Sequence, residues 1–186
     1  SVAFSGWFEG LFLRMGRGLG SGLLFILLMH LMWFFGIHGS NVLDGVAHEV
    51  FRAGMDVNLA RLAAGQAPTE IATKTFFDTF VLFGGCGTLL CLVVAIFLCD
   101  RRKNVRGLSK MALVPVLFNI NELIMFGVPI VLNPIYLVPF LCTPLVLTVI
   151  SYLATLAGLV PVAIHTVEWT TPIFLSGYAA IGSVAG

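Results

Sequence analysis

Of 186 residues only 10% are charged and 59% are hydrophobic, and the mean hydropathy is +1.02. Soluble domains carry about 25% charged residues, so the composition excludes one and indicates an integral membrane protein whose main partner is the lipid bilayer. The net charge of +1 gives no basis for nucleic-acid binding.

Four cysteines, Cys86, Cys91, Cys99 and Cys142, sit in apolar segments without metal-ligand spacing and read as reduced core residues. No secretory signal opens the chain, and Ser1 stands where an initiator Met would, so a preceding segment is expected.

The first spanning candidate is 19–38, LGSGLLFILLMHLMWFFGIH, with His30 inside it and His38 at its end. Its length matches the roughly 20 residues that cross a hydrocarbon core. Residues 39–74 are mixed and hold Asp44, Glu49, Asp56 and Glu70. Within them VAHEVFRAGMDVNLARLA predicts an amphipathic helix at the membrane surface, ended by GQAP. A second span is expected from about Thr79 to Cys99, opening near Gly84-Gly85-Cys86-Gly87. Those glycines suit helix packing better than a phosphate loop, since no Lys-Ser/Thr follows them.

Arg101, Arg102, Lys103, Arg106 and Lys110 then form a basic loop of the kind that marks the cytoplasmic side. With one crossing on either side of 39–74, Arg14 and Arg17 would share that side, giving seven basic residues there against three opposite.

Beyond Lys110 no lysine or arginine remains, and proline falls at 115, 129, 134, 139, 144, 161 and 172. Residues 111–127 read as a re-entrant hairpin arm, about 135–160 as a full span, and 161–172, PVAIHTVEWTTP, as a second polar interruption before another helix at 173–186. Two broken segments in one membrane domain point to a transporter binding site.

The polar residues of these interruptions carry the chemistry. Glu122 is a carboxylate in an apolar run with no basic residue near it in sequence. An ionisable group in lipid-like surroundings faces a cavity or a polar ligand, or else caps a re-entrant helix. A sugar offers hydroxyls on its edges and apolar C–H faces, and Glu122, Asn119, Asn121, His38 and Trp169 supply acceptors, donors and an aromatic plate, with Thr170 and Thr171 adding hydroxyls. Asn119 and Asn121 diverge by about 200° on a helix, so their joint use favours an unwound tip over 119–122. His30 reads as a hydrogen-bonded core histidine, His48 as part of the surface helix, and Asp78 as a partner of Lys74 at i,i+4. No metal site and no hydrolytic triad is evident.

Four ordered motifs, Gly36-Ile37-His38-Gly39-Ser40-Asn41-Val42, Thr73-Lys74-Thr75-Phe76-Phe77-Asp78, Phe118-Asn119-Ile120-Asn121-Glu122 and Trp169-Thr170-Thr171-Pro172, resemble the lactose/cellobiose branch of enzyme IIC of the bacterial phosphotransferase system. Gly127-Val128-Pro129-Ile130-Val131-Leu132-Asn133-Pro134 is similar to a further run of that family. The resemblance covers about residues 20–180 and implies an all-α membrane protein with transmembrane helices, two re-entrant hairpin-like segments and an amphipathic surface helix.

It further implies that 1–186 correspond to the C-terminal sugar-binding half of a multi-pass protein of the bacterial inner membrane, the N-terminal half and last span lying outside. A homodimer is implied for the full-length protein. The expected substrate is a β-linked disaccharide such as cellobiose, chitobiose or lactose, phosphorylated by the partner enzyme IIB, itself charged by IIA, without any cofactor. His38 and Glu122 are the implied sugar contacts and candidate bases for the sugar hydroxyl, with Asn119 and Asn121 beside them and Trp169 and Thr170 on the wall. Leu123, Glu168 and Ile173 stand where the family usually has proline. These departures leave open an enzyme-IIC-like sensor domain of a cyclic-dinucleotide cyclase or phosphodiesterase that does not transport.

Overall fold

The computed structural model describes residues 2–183, all helix and connecting segments without a strand among them. Helix α1 (Val2–Met15) leads to α2 (Leu19–Phe34), which stops where Gly36 takes a positive φ of 79°. The first expected span is therefore 16 residues long, about 24 Å at a rise of about 1.5 Å per residue.

The chain then doubles back along α2. Short helices α3 (Gly39–Val42) and α4 (Asp44–Val46) run into a π-helical turn, Ala47–Arg52, and α5 (Ala53–Ala63). Gly39 lies so close to α2 that a Cβ there would sit 2.2 Å from the Met29 carbonyl oxygen. Further on, Phe51 meets Phe25 at a ring separation of 4.9 Å, and a Cβ on Gly54 would come 3.0 Å from Arg17 Cδ. As the return advances, its contacts retreat towards the start of α2, so the two segments are antiparallel.

This corrects part of the surface-helix expectation. The segment Ala53–Ala63 does bury Gly54, Met55 and Asn58 while exposing the opposite face, as an amphipathic helix should. The end of α4 and the preceding turn instead bury Val46, Ala47, Val50 and Phe51. Phe12, Phe25, Phe51 and Phe77 form one edge-to-face and tilted cluster there. The apolar side of this stretch is wide enough to prefer protein to a bilayer surface.

The second expected span is broken. Helix α6 (Lys74–Phe80), capped by the Thr73 hydroxyl accepting from the Phe76 amide at 3.2 Å, ends before an irregular stretch, and α7 (Leu89–Cys99) follows. In between, Gly84, Gly85, Gly87 and Thr88 all have positive φ. The glycines thus belong to a loop rather than to helix packing. This loop runs parallel to α2, with Gly87 N–H donating to His30 Nε2 at 2.8 Å and Cys86 Sγ 3.9 Å from Met29 Sδ.

Helix α8 (Lys103–Leu117) packs against α7 and carries most of the predicted basic loop. The chain unwinds over 118–121 and turns into α9 (Glu122–Gly127), which packs back against α8. Leu132 N–H then bonds the Phe34 carbonyl at 2.9 Å, and Arg102, just before α8, lies within electrostatic reach of Tyr136, so this pair enters and leaves near the same end of α2, as a re-entrant hairpin does.

Helix α10 (Pro134–Leu156) is capped by Asn133, whose Oδ1 accepts from Ile135 N at 3.1 Å. Its 23 residues make it the one helix among those described that is long and apolar enough to cross a membrane. Pro139 and Pro144 lie inside it without ending it, and Thr148 Oγ1 donates back to the Pro144 carbonyl one turn earlier at 2.7 Å. The interruption expected over 161–172 is non-helical and begins a few residues earlier, since α10 ends at Leu156, and α11 (Ile173–Ile181) follows.

The topology overturns the expected arrangement of basic residues. Arg102 lies within electrostatic reach of Tyr136 at the start of α10, which adjoins the end of α2, whereas Arg17 precedes its start. The two basic groups fall at opposite ends of the bundle, because 39–54 returns through the interior rather than staying on one side.

Candidate functional site

The unwound tip between α8 and α9 is held by its own amides. Asn119 adopts the left-handed conformation, φ 63°, which asparagine tolerates better than most residues. Its Oδ1 accepts from Gly84 N–H at 2.7 Å, and its Nδ2 donates to the Trp169 carbonyl at 2.5 Å and to the Thr171 carbonyl at 3.4 Å. Asn121 Nδ2 donates to the Cys86 carbonyl at 3.3 Å. Both asparagines are buried. One tip thereby joins three non-helical segments, 81–88, 118–121 and 168–171, each of which would otherwise leave backbone groups unpaired.

Glycine makes this junction possible. A Cβ on Gly85 would fall 2.6 Å from Asn121 Cβ and 2.9 Å from the Asn119 carbonyl oxygen.

Beside the tip lies a cavity of about 360 Å³. That volume is at the lower end of the roughly 300–1,000 Å³ typical of small-ligand clefts. Its walls include Trp33, His38, Ser40, Asn41, Asp44, Lys74, Asp78, Cys86, Asn119, Asn121, Glu122 and Trp169, with Phe25, Met29 and Leu82 among the apolar lining. Apolar and aromatic walls with a few convergent polar groups are the usual make-up of a ligand site.

His38 ends the turn after α2, and its Nδ1 accepts from Asn41 N–H at 3.3 Å. Since Nδ1 accepts, the neutral ring carries its proton on Nε2. That Nε2 points to Glu122 Oε1 at 3.9 Å, too far for a direct hydrogen bond. The His38 ring packs on Trp33 with centroids 4.2 Å apart.

Glu122 is the first residue of α9, where the helix dipole favours a negative charge, and the N-cap residue Asn121 makes no side-chain capping bond. Its side chain is 46% accessible, yet Oε2 is closed off and has no hydrogen-bond partner. The exposure therefore lies on the rest of the side chain.

Of the sequence-predicted residues, His38, Asn119, Asn121, Glu122 and Trp169 meet at one cavity, while Thr170 does not line it. Trp169 is half exposed. Asp78 does pair with Lys74, as expected, and the pair itself lines the cavity. Lys74 thus brings a basic residue to the cavity that Glu122 lines, which sequence distance alone excluded.

Trp33 and Asp44 are cavity residues that sequence reasoning missed. Trp33 had a readable signal, standing five positions before His38 with both at the end of an apolar run. His30 is a fully buried core residue, as expected, bonding the Ile26 carbonyl at 2.7 Å. Of the four cysteines, all free, only Cys86 is buried, so the expected core placement fails for Cys91, Cys99 and Cys142 on the outer faces of the helices.

Comparison with known proteins agrees with this arrangement. The family model of the phosphotransferase system, EIIC, matches residues 1–144. The chain is 43% identical over 170 residues to the lichenan permease IIC component of Bacillus subtilis (strain 168), covering 90% of this chain and 37% of that protein. It is 38% identical over 175 residues to the oligo-beta-mannoside-specific EIIC component of the same organism, covering 91% and 40%.

The crystal structure of the transporter ChbC, the IIC component of the N,N'-diacetylchitobiose-specific phosphotransferase system, superposes with a TM-score of 0.89 at 39% identity, covering 96% of this chain and 41% of that one. The chain thus spans about two fifths of the length of these relatives. A family match across most of the chain, a shared all-helical fold and a polar cavity built from broken helices agree: the chain belongs to the membrane-embedded EIIC family of the phosphotransferase system.

Proposed function

We propose that the cavity binds a β-linked disaccharide during its import and phosphorylation, as part of a multi-pass permease of the bacterial inner membrane. The observation that carries this reading is Glu122: a carboxylate on the wall of a small-ligand cavity whose enclosed Oε2 has no partner and whose Oε1 lies 3.9 Å from His38 Nε2. An orphaned carboxylate oxygen in such surroundings calls for a hydrogen-bond donor. Sugar hydroxyls are neutral donors that also accept, so one hydroxyl within about 2.8 Å of both groups accepts a hydrogen bond from His38 Nε2–H and donates one to the Glu122 carboxylate.

The two residues then have separate roles. With Nδ1 engaged by Asn41, His38 Nε2 is a donor and orients the hydroxyl oxygen. Glu122, with a carboxylate oxygen unengaged, is the acceptor for the hydroxyl proton. In phosphoryl transfer from a phosphocysteine of enzyme IIB, the 6-hydroxyl oxygen forms the new bond to phosphorus, the phosphorus–sulfur bond breaks, and the hydroxyl proton passes to Glu122. Trp33 and Trp169 supply apolar faces for the sugar's C–H surfaces.

The relatives are permease components specific for lichenan, oligo-beta-mannosides and, in the superposed structure, diacetylchitobiose, which supports a β-linked substrate and transport rather than sensing. The test is calorimetry on the full-length protein in detergent with cellobiose, diacetylchitobiose, lactose and maltose, followed by incubation with phosphorylated enzyme IIB. Binding of at least one β-linked sugar and release of its phosphate ester are expected. Binding without any phosphorylated product, or uptake driven by a proton gradient alone, would overturn the proposal.

A further inference from the structure

The largest charge outside the cavity lies on the turn between α7 and α8 and on the first half of α8. Arg101, Lys103, Arg106 and Lys110 are all exposed. Asp100 is the sole carboxylate between Cys99 and Asn121, and Arg102 occupies it through contacts of 2.6 to 3.2 Å. Among the described residues the other four cations make no salt bridge.

Their spacing matters. Lys103, Arg106 and Lys110 are three and four residues apart and so share one face of α8. The same face continues into exposed apolar side chains, Val114 at 62% and the adjacent Met111 at 69%. The change from cationic to apolar falls between Lys110 and Met111. From Lys103 to the tip at Asn119 the hairpin descends about 22 Å along a helical rise, most of the roughly 30 Å hydrocarbon thickness. Tyr136, near the start of the spanning helix α10, lies within electrostatic reach of Arg102. Tyrosine at the mouth of a span favours the headgroup level.

A soluble acidic or phosphorylated protein would cover the charges but leave the contiguous Met111 and Val114 unexplained. A phospholipid covers both, with its phosphate on the cations and an acyl chain along the apolar continuation. We propose that this face of α8 binds an anionic phospholipid, its headgroup phosphate held by Arg101, Lys103, Arg106 and Lys110 and one acyl chain lying on Met111 and Val114. The inference rests on membrane embedding and is independent of the sugar reading.

The test is native mass spectrometry of the full-length protein in detergent, titrated with phosphatidylglycerol or with phosphatidylcholine. The wild type is compared with R101Q/K103Q/R106Q/K110Q and with the single variant K110Q. The wild type is expected to retain phosphatidylglycerol at least tenfold more tightly than phosphatidylcholine, and less tightly in high salt. The quadruple variant loses roughly 500- to 1,000-fold in that affinity and K110Q about fivefold. A melting temperature in detergent unchanged in both variants reports an intact fold.

Equal retention of the two lipids, or a phosphatidylglycerol preference that survives in both variants, would overturn the proposal. Displacement of the lipid by an equal concentration of soluble glycerol phosphate would show a site for free phosphate esters instead. Loss of enzyme IIB affinity with lipid retention unchanged would assign the face to a protein partner, equally against the proposal.

Discussion

His38 Nε2 stands 3.9 Å from Glu122 Oε1 on the cavity wall, the two side chains carried by different interruptions of the helical chain. That separation is too long for a hydrogen bond and short enough for one hydroxyl oxygen to touch both. Glu122→Gln keeps the shape but removes the charge from the acceptor. Hydrogen bonds to charged groups contribute about 1.5–3 kcal/mol, so sugar affinity should fall about 10- to 150-fold. His38→Ala should weaken binding comparably. Calorimetry on both variants checks this, with thermal unfolding as the control for folding. Affinity equal to wild type in both would remove the basis for the site.

Asn119 should matter through architecture. Asn119→Ala leaves the buried Gly84 amide without its partner, at about 1–3 kcal/mol, and removes the bond to the part-buried Trp169 carbonyl. It also places alanine at φ 63°, a further cost of about 1–2 kcal/mol. Asn119→Gly removes that strain but not the lost bonds. The expected order of melting temperature in detergent is wild type, then Asn119→Gly, then Asn119→Ala. A glycine variant as stable as the wild type would show that the side-chain bonds contribute nothing.

Two glycine substitutions should behave oppositely. Gly85→Ala puts a Cβ 2.6 Å from Asn121 Cβ at φ 83°, so the tip must shift, with loss of both stability and sugar binding. Gly107 lies inside α8, where a Cβ would meet nothing within 4 Å. Gly107→Ala should stabilise by about 0.5–1 kcal/mol through helix propensity. Thermal unfolding of the pair separates steric demand from general sensitivity to glycine replacement.

The hydrogen bonds from Arg102 hold the Asp100 carboxyl well below the usual carboxylate range, at about 2. The depressed value means that the ionised form is favoured by folding. Its small contribution is fully present above the unfolded value of about 3.9 and is lost as pH falls towards 2. Asp100→Asn should therefore flatten the acid limb of stability between about pH 4 and pH 2 while leaving neutral-pH sugar affinity unchanged. Thermal unfolding as a function of pH checks this, and an unaltered acid limb would exclude the pair as a contributor.

Much of the fold was legible because lipid solvent demands long apolar stretches. The span at 134–156, the buried His30 and the two polar interruptions all follow from hydropathy, proline and amide placement. The unwound tip was legible from Asn119 and Asn121 because their two-residue spacing is incompatible with one helical face. Misreadings came where interior and bilayer look alike to a hydropathy pattern. Residues 46–52 could face lipid or protein, and only their aromatic partners Phe12, Phe25 and Phe77 decide for protein. The broken helix between Phe80 and Leu89 was hidden because its loop is itself apolar and glycine-rich.

By itself the sequence determined that this chain lives in a membrane, that its polar groups are gathered into interruptions of apolar helices, and that Glu122 and His38 are the groups needing explanation. Composition and local spacing suffice for that, since burial cost depends on residue type. Tertiary structure alone decided which distant groups share a cavity. It brought Trp33, Asp44, Lys74 and Asp78 to Glu122, and sent Arg17 and Arg102 to opposite ends. Helix direction and loop closure set those neighbours, and neither is encoded in the hydropathy of any one segment.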